Sequence, residues 1–352
     1  MTYVLRPAVS HPPHRVTTDE IRRDLHRANP DYPRRGIFDR LARSVGVDHR
    51  YFSEPLDVVA AASPLPERTR AAYGHLRRRG AEAARQAMAD HGIEPGEIDV
   101  LVTAHATGDH KPGLDVALIN DLKLRPTVRR VGMTQLACAG GTQALIQASD
   151  VLNAGRGQVA MVVVAETLST VYHHSDLSSE AVVFKYLFGD SGGATFVTRE
   201  KPADRPSLEI LDTFEYLLPD SEDYYAQRLE ADGYHFDSTK KALLAVGEVM
   251  PQVTGWLRAG EPDWAPDHVI AHPGGPKILQ SVVEGFGGPP GLVRHSVESM
   301  RDGGNRGGVA VLDVLRRALD ADDLSAGWRG CILAFGPGFM TSALKTRAHL
   351  AN

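Results

Sequence analysis

The sequence predicts an α/β protein made of two similar halves. Short apolar segments of strand length alternate with longer segments of helical periodicity along the 352 residues. The strand-like segments are largely apolar, as in strands that are buried on both faces of a sheet. The order of strand, glycine turn, helix and apolar strand occurs in residues 1–199 and again in residues 200–352. We therefore expect an internal duplication, with its boundary at the proline-rich segment 200–207.

The first half is predicted to place its helices between buried strands. The predicted helical segments are 17–45, 67–91, 113–123 and 140–155. Pro30 and Pro33 should interrupt the first of these helices, and Gly92 and Gly155 should end the second and the last. The predicted strands are 98–108, 127–137, 158–167 and 192–198.

The second half repeats this alternation with fewer recognisable elements. Strands are predicted at 208–218, 267–275 and 330–338, and helices at 239–259 and 303–320. In the last helix, Val311, Leu312, Leu315 and Leu319 lie on one face. That apolar face should pack on a sheet.

Composition and charge exclude several classes of protein. A net charge of −5 does not favour nucleic-acid binding. The longest apolar segment, 159–165, is too short to cross a bilayer, and the first sixteen residues lack the apolar core of a signal peptide. Two cysteines exclude a disulfide framework and fit a reducing compartment. We therefore expect a cytoplasmic protein that binds neither nucleic acid nor membrane.

Cys138 lies between an apolar segment and a glycine pair in "QLACAGGTQAL" (135–145), where a helix is predicted to begin. A helix N-terminus lowers the pKa of a thiol, because its N–H groups and dipole favour negative charge. The small neighbouring residues also leave space for an acyl thioester. A buried structural cysteine explains the same segment, because free cysteine is among the most buried residue types. From these residues alone, both interpretations stay open.

Two further polar residues stand beside glycines. His272 in "IAHPGGPKIL" (270–279) directly follows an apolar strand, where an imidazole can pair with a thiolate or donate to an oxyanion. Asn305 in "DGGNRGGVAV" (302–311) precedes a helix, where it can donate to a carbonyl oxygen or cap the helix. Taken singly, each residue is more simply explained by a structural role.

The chain contains no motif of a bound cofactor. "FGPG" (335–338) is predicted to be a turn after a strand, but it lacks the Gly-Lys-Ser/Thr of a phosphate loop. No dinucleotide fingerprint and no paired Cys/His metal spacing occurs in the sequence. The sequence therefore predicts no metal and no organic cofactor.

The motifs taken in order resemble one enzyme family. Cys138, His272 and Asn305, with "LFGD" (187–190) between the first two and "FGPG" at the end, are similar to the chalcone synthase-like type III polyketide synthases. The likeness extends over nearly the whole chain and is strongest to the bacterial branch that includes tetrahydroxynaphthalene synthase. The resemblance implies the thiolase fold, with two duplicated five-layered αβαβα halves. It also implies a homodimer that uses acyl-CoA and malonyl-CoA and needs no metal or bound cofactor.

The resemblance assigns roles to individual residues. It makes Cys138 the nucleophile that carries the starter and the growing chain, and His272 the base that keeps the sulfur ionised. His272 and Asn305 together would bind the malonyl thioester oxygen and stabilise the enolate formed on decarboxylation. Phe188 in "LFGD" and Phe236 in "GYHF" match two aromatic residues that gate the cavity.

Other positions are suggested by the resemblance but have simpler explanations too. Arg40 and Arg43 match basic residues that contact CoA phosphates, although a solvated helix face explains them equally well. Lys111 replaces an apolar residue that reaches across the dimer interface toward the other active site. Gly307 and Gly308 replace small serines, which suggests extra room near Cys138.

Alternatives within and outside the fold stay open. The chain can be a single-condensation ketoacyl synthase or an acyltransferase that loads its cysteine without extension. It can also be a non-catalytic thiolase-fold subunit of an active partner, although a silent subunit has no reason to keep all three polar residues. A papain-like hydrolase is disfavoured because its cysteine signature is absent.

Overall fold

The computed structural model describes residues 1–321 and 324–350. The helices are α1 (Thr18–Ala28), α2 (Gly36–Ser44), α3 (Leu56–Ala60), α4 (Leu65–His91), α5 (Leu114–Leu122), α6 (Gly140–Asn153), α7 (Ser179–Leu187), α8 (Lys240–Leu257), α9 (Pro276–Phe286), α10 (Arg294–Gly303) and α11 (Val309–Asp320). The strands are β1 (Thr2–Val4), β2 (Ala8–Ser10), β3 (His14–Thr17), β4 (His49–Phe52), β5 (Val100–His105), β6 (Arg129–Thr134), β7 (Val159–Thr167), β8 (Asp190–Thr198), β9 (Ser207–Leu217), β10 (Tyr225–Glu230), β11 (Gly233–Ser238), β12 (His268–Ala271), β13 (Arg329–Gly336) and β14 (Met340–His349). Short 3-10 turns lie at Pro95–Glu97, Ala137–Ala139, Leu168–Val171, Pro290–Val293 and Pro337–Phe339.

One mixed sheet runs through the molecule in the order β12, β13, β14, β9, β1, β8, β7, β5, β6, and β2 also pairs with β8. The two halves meet where β1 pairs antiparallel with both β8 and β9. In the first half β5 and β7 are parallel, whereas β7, β8 and β1 are successively antiparallel. In the second half β12 and β13 are parallel, whereas β13, β14 and β9 are successively antiparallel. The pairings of one half are therefore repeated in the other.

The helices form layers on both sides of these strands. Helices α6 and α11 lie at the centre, and their apolar side chains share one core with β5, β7, β12, β13 and β14. Helices α4 and α5 cover the outer face of the first half, and α8 and α9 cover that of the second. This arrangement keeps β5, β7 and β8 buried along nearly all their length, as their apolar sequences predict.

Most of the predicted elements are confirmed. The predicted helix at 17–45 is broken between Ala28 and Gly36, and α4 ends at Gly92, whose φ of 63° is left-handed. The elements that were not predicted include β1–β4, α3, α7, α9, α10, the hairpin β10–β11 and the strand β14. The hairpin has no clean apolar period because much of it is exposed or half-buried, whereas β14 is almost entirely buried but contains several polar residues.

The two central helices touch at a glycine pair. A Cβ added at Gly141 in α6 would overlap the carbonyl oxygen of Gly308, and one added at Gly308 would lie 2.7 Å from the Gly141 nitrogen. Both positions therefore need glycine because the backbones are in contact. The glycines of "CAGG" and "NRGG" thus bring the N-termini of α6 and α11 together, and with them the residues that precede each helix.

None of the helices among the described residues combines the length and the apolar character that a membrane span requires.

Candidate active site

Cys138 lies in the 3-10 turn Ala137–Ala139, between the end of β6 and the start of α6 at Gly140. The turn is tight, since Gln135 and Ala137 adopt left-handed φ values of 68° and 42°. Such values are costly for residues with a Cβ and persist where surrounding packing enforces them. The turn presents the sulfur to a cavity rather than to the central core.

Asn305 faces this sulfur from the segment before α11. Its Nδ2 lies 3.7 Å and its Oδ1 3.8 Å from the Cys138 Sγ. The N–H of Gly307 donates to the Asn305 Oδ1 at 2.9 Å. That bond fixes the orientation of the amide, and Nδ2 is its donor toward the sulfur and toward any thioester oxygen bound there.

His272 directly follows β12 and lines the same cavity. Its backbone N–H donates to the Leu333 carbonyl at 2.8 Å, which continues the pairing of β12 with β13. The side chain is 2% exposed, and neither ring nitrogen has a hydrogen-bond partner within the described part of the chain. Buried polar groups are normally paired, so an imidazole with both nitrogens unpaired points to a ligand that completes it.

Burial controls the protonation of both groups. Burial raises the pKa of the Cys138 thiol to about 12, and the nearby Glu166 carboxylate raises it further, whereas the Asn305 amide lowers it. Burial also lowers the pKa of His272 to about 3, and the Arg306 guanidinium acts in the same direction. Burial therefore favours a neutral thiol beside a neutral imidazole at pH 7, which differs from the ionised sulfur implied by the resemblance.

The cavity has a volume of about 280 Å³ and walls that are mainly apolar. Phe188 and Phe236 stand together in its wall, with ring centroids 5.9 Å apart and planes at 86°. This edge-to-face contact joins the end of α7 to the strand β11. Apolar walls of this kind suit an acyl chain and exclude water from the sulfur.

The structure brings together six of the nine residues named from the sequence. Cys138, His272, Asn305, Phe188, Phe236 and Gly307 line the cavity, whereas Arg40, Arg43 and Lys111 do not. Arg40 is exposed and lies one helical turn before Ser44, which lines the cavity. Arg43 lines a separate surface recess with Asp39 and Asp48, and Lys111 is exposed in the loop after β5.

Gly307 does not provide the extra room that its lack of a side chain suggested. Its φ is 56°, and an added Cβ would lie 2.9 Å from the Cγ of Glu166. The side chain of Glu166 already fills that space. The expectation of a larger cavity at Gly307 and Gly308 is therefore wrong, and both glycines serve close packing instead.

Glu166 is the main cavity residue that pattern analysis missed. It is the next-to-last residue of the buried strand β7, is 1% exposed, and lines the cavity. Its carboxylate accepts hydrogen bonds from the Ala106 N–H and the Thr107 hydroxyl, both at 2.9 Å. Burial raises its pKa to about 8. A lone acid at the end of the apolar segment "VVVAET" was a usable signal for this residue.

Two further side chains line the cavity without having been predicted. Tyr225 in β10 stacks on Phe339, with ring centroids 6.0 Å apart. Lys277, at the start of α9, lines the cavity and is exposed, so its ammonium group is available to a charged ligand at the mouth.

Comparison with known proteins gives consistent matches over the whole chain. The family model for the N-terminal domain of chalcone and stilbene synthases matches residues 49–201, and the model for the C-terminal domain matches residues 209–348. Phloroglucinol synthase of Pseudomonas fluorescens is 29% identical, with 96% of this chain and 97% of the relative covered. The 1,3,6,8-tetrahydroxynaphthalene synthase of Streptomyces coelicolor is 30% identical, with 96% and 90% covered.

Comparison with solved structures gives matches to the same family. Germicidin synthase from Streptomyces coelicolor, a type III polyketide synthase, superposes with a TM-score of 0.93 at 32% identity, with 99% of each chain covered. The structure of 1,3,6,8-tetrahydroxynaphthalene synthase from the same organism also gives a TM-score of 0.93, at 27% identity and with 99% of each chain covered. These matches confirm the thiolase fold expected from the sequence.

Proposed function

The chain belongs to the chalcone and stilbene synthase family and is a type III polyketide synthase, and from that premise we propose that Cys138, His272 and Asn305 are its catalytic residues. In this proposal an acyl-CoA or malonyl-CoA starter is loaded on Cys138 and extended with malonyl-CoA by decarboxylative Claisen condensation, and the product is cyclised. The supporting observation is the Asn305 amide 3.7 Å from the Cys138 sulfur, in a buried cavity that also holds an unpaired imidazole.

Loading begins with the neutral thiol and imidazole that burial favours. A ring nitrogen of His272 accepts the thiol proton as the sulfur attacks the thioester carbonyl carbon of the starter. The bond from that carbon to the CoA sulfur then breaks, and the departing CoA thiolate takes the proton from His272. The acyl group is left as a thioester on Cys138.

Extension places negative charge on an oxygen. The bond between the malonyl methylene and its carboxylate breaks, carbon dioxide leaves, and the electron pair forms an enolate on the CoA thioester. The Asn305 Nδ2 and the N–H of a neutral His272 both donate to that oxygen, and one such donor is worth about 2.7–4 kcal/mol. The enolate carbon attacks the acyl carbon on Cys138, and the sulfur leaves as a thiolate with the extended chain on CoA.

The proposed substrates enter past the aromatic pair. Phe188 and Phe236 gate the cavity. The exposed Lys277 lines it, and the exposed Arg40 lies one helical turn before the cavity residue Ser44, so we expect the phosphates of CoA to contact these two cations. Arg43 is a weaker candidate because it lies in a recess with three acidic residues, Asp19, Asp39 and Asp48. The proposed condensation uses CoA thioesters as substrates and no resident cofactor.

We also propose that the chain forms a homodimer in the cytoplasm. Strand β6 ends the sheet, and its Val131 and Met133 are half-buried apolar residues on that edge. An open edge of this kind suits pairing with a second copy. Lys111, in the neighbouring loop, would then contact the partner. Two cysteines without a disulfide support a reducing compartment.

Mass spectrometry of acylated variants tests the assignment. Cys138→Ala should take up no acyl group from a starter-CoA, whereas Asn305→Ala should load normally but decarboxylate malonyl-CoA about 10²–10³-fold more slowly. Cys331→Ala is the matched control, because that second cysteine is fully buried outside the cavity. Acylation of the Cys138→Ala chain, or equal loss of loading in Asn305→Ala, would contradict the proposed roles.

A further inference from the structure

A compact cluster of two histidines and one aspartate lies behind the β10–β11 hairpin, outside the cavity. His173, Asp232 and His235 each offer one possible ligand atom. These three atoms lie within 4.8 Å of one another. Both histidines are buried, and their rings stack with centroids 4.2 Å apart at 15°. None of the three residues lines the cavity, and the condensation does not use them.

In each imidazole, the nitrogen that points away from Asp232, called here the outer nitrogen, faces a hydrogen-bond acceptor. His173 Nε2 lies 3.0 Å from the carbonyl oxygen of Tyr234, and His235 Nδ1 lies 3.2 Å from a carboxylate oxygen of Asp176. A carbonyl and a carboxylate can only accept, so each of these nitrogens carries the proton. The other nitrogen of each ring, His173 Nδ1 or His235 Nε2, faces Asp232 and is the atom that a metal ion would bind in a neutral ring.

Both inner nitrogens lie beside one carboxylate. His173 Nδ1 lies 3.6 Å from one Asp232 oxygen, and His235 Nε2 lies 3.0 Å from the other. The two inner nitrogens and the Asp232 carboxylate are close enough together for one metal ion to contact all three.

We propose that His173, His235 and Asp232 bind a divalent transition-metal ion of the zinc class, with a water as a further ligand. Imidazole and carboxylate are zinc ligands, and a histidine ligand usually donates its other N–H to a carbonyl or carboxylate. The Tyr234 carbonyl and the Asp176 carboxylate occupy those two outer positions. The sequence predicted no metal because the ligands come from distant segments and lack a paired Cys/His spacing.

The ion would fasten the hairpin to the body of the protein. His173 lies in the segment between the 3-10 turn Leu168–Val171 and α7, whereas Asp232 and His235 belong to the hairpin, whose two strands pair only with each other among the described residues. Phe236 follows His235 and lines the cavity. Successive strand residues point to opposite faces, so the metal would hold the strand that positions Phe236.

Cobalt and zinc binding to the full-length protein test this site. After treatment with a chelator, the protein should bind one Co²⁺ per chain with the visible absorption of a low-coordinate cobalt ion, and one Zn²⁺ by titration calorimetry. His173→Ala, His235→Ala and Asp232→Asn should abolish this binding. Asp176→Asn should weaken it about 10–100-fold, because it removes only an outer partner. His110→Gln, at an exposed histidine outside the cluster, should bind as the parent does.

Thermal unfolding of the parent protein tests the site even where a variant fails to fold. Zn²⁺ added to the chelator-treated parent should raise its Tm, whereas Mg²⁺ should not, because the ligand set is nitrogen-rich. Absence of both Co²⁺ and Zn²⁺ binding by the parent would overturn the proposal. Binding that persists in folded Asp232→Asn and His235→Ala proteins would overturn it equally, since the ion would then lie elsewhere.

Discussion

The backbones of Phe188 and Asn305 form a parallel β-bridge. The Asn305 N–H donates to the Leu187 carbonyl at 2.8 Å, and the Gly189 N–H donates to the Asn305 carbonyl at 3.0 Å. The residue that carries the Phe188 ring and the one that carries the amide beside Cys138 are therefore joined by one pair of backbone hydrogen bonds, although they come from different halves of the chain. A shift of one backbone segment must move the other.

Gly304→Ala should uncouple the amide from the sulfur while the nucleophile stays intact. Gly304 has a φ of 68°, and an added Cβ would overlap the Leu187 carbonyl oxygen, which is the acceptor of the Asn305 N–H. We expect a loss of about 1–3 kcal/mol in the free energy of unfolding and a decarboxylation rate at least tenfold lower. Acyl loading of Cys138, measured by mass spectrometry, should persist.

Gly291→Ala is the matched control for that variant, because nothing lies within 4 Å of its added Cβ and its φ is not left-handed. Equal decarboxylation by the Gly304→Ala and Gly291→Ala proteins would show that the bridge does not position Asn305.

Much of the fold was predictable because buried strands and central helices have simple apolar patterns. The segment 158–167 is apolar because β7 is buried on both faces, and Gly92 marks a helix end because its φ is left-handed. Cys138 and Asn305 stood out in the sequence because each stands beside glycines that close backbone packing requires, whereas the two glycines after His272 make no such close contact. Burial of a strand and the end of a helix can therefore be predicted from a short segment of sequence.

Relationships between distant segments were beyond the reach of pattern analysis. The sequence could not show that Glu166 fills the space beside Gly307, or that Arg43 faces acidic residues in a separate recess. The His173 and His235 rings likewise meet only when a loop and a hairpin fold together. These features depend on three-dimensional packing between segments that have no common period or motif.

The reactivity of Cys138 should report a neutral resting thiol. Because burial raises its pKa to about 12, the thiolate fraction at neutral pH is small and grows with pH. We expect the rate of iodoacetamide labelling to rise about tenfold per pH unit between pH 6 and 8, and to keep rising up to pH 9 without a plateau. Stopped-time mass spectrometry of the peptide that contains Cys138 measures this rate.

The second cysteine provides the internal reference for that experiment. Cys331 is fully buried away from the cavity, and burial raises its pKa, so it should remain unlabelled in the folded protein. A labelling rate that is already constant near pH 6 would instead reveal an ion pair with His272 and refute the neutral thiol.

Glu166→Gln should change this pH profile only at its alkaline end. The pKa of Glu166 is raised to about 8 by burial, so its carboxyl group is largely neutral at pH 6–7 and ionised above pH 8. Once ionised, it raises the pKa of the thiol by repulsion. Labelling rates of the parent and Glu166→Gln proteins should therefore coincide at pH 6–7 and diverge above about pH 8, where the variant reacts faster.

A constant ratio of the two rates across the whole range would mean that Glu166 acts through packing rather than through its charge. Thr142→Val, at a fully buried hydroxyl in α6, is the control for a neutral change near the nucleophile, and its profile should parallel that of the parent.

The buried ion pair of Arg306 and Asp313 should be essential for holding the segment that carries Asn305. The Arg306 Nη2 lies 2.7 Å from an Asp313 oxygen, and both side chains are almost completely buried. That carboxylate also accepts a hydrogen bond from Ser299, and the pKa of Asp313 lies well below its usual range because of the neighbouring guanidinium groups. Asp313→Asn leaves the Arg306 charge without its partner in a low-dielectric interior. We expect a loss of about 3–5 kcal/mol in the free energy of unfolding, measured by urea denaturation.

The surface pair of Arg316 and Asp320 separates burial from charge as the cause of that loss. The Arg316 and Asp320 atoms lie 3.1 Å apart, Asp320 also pairs with Arg6, and all three side chains are partly exposed, so Asp320→Asn should cost about 0–1 kcal/mol. The stabilisation that Asp313 contributes to the folded state should also persist in mild acid. Because the pKa of Asp313 is depressed in the folded state, this stabilisation is present above the unfolded pKa near 4 and is lost only as the pH falls through the lower folded pKa. If Asp313→Asn and Asp320→Asn proved equally stable, the buried pair would not hold the Asn305 segment, and the amide would have to be positioned by the bridge to Phe188 alone.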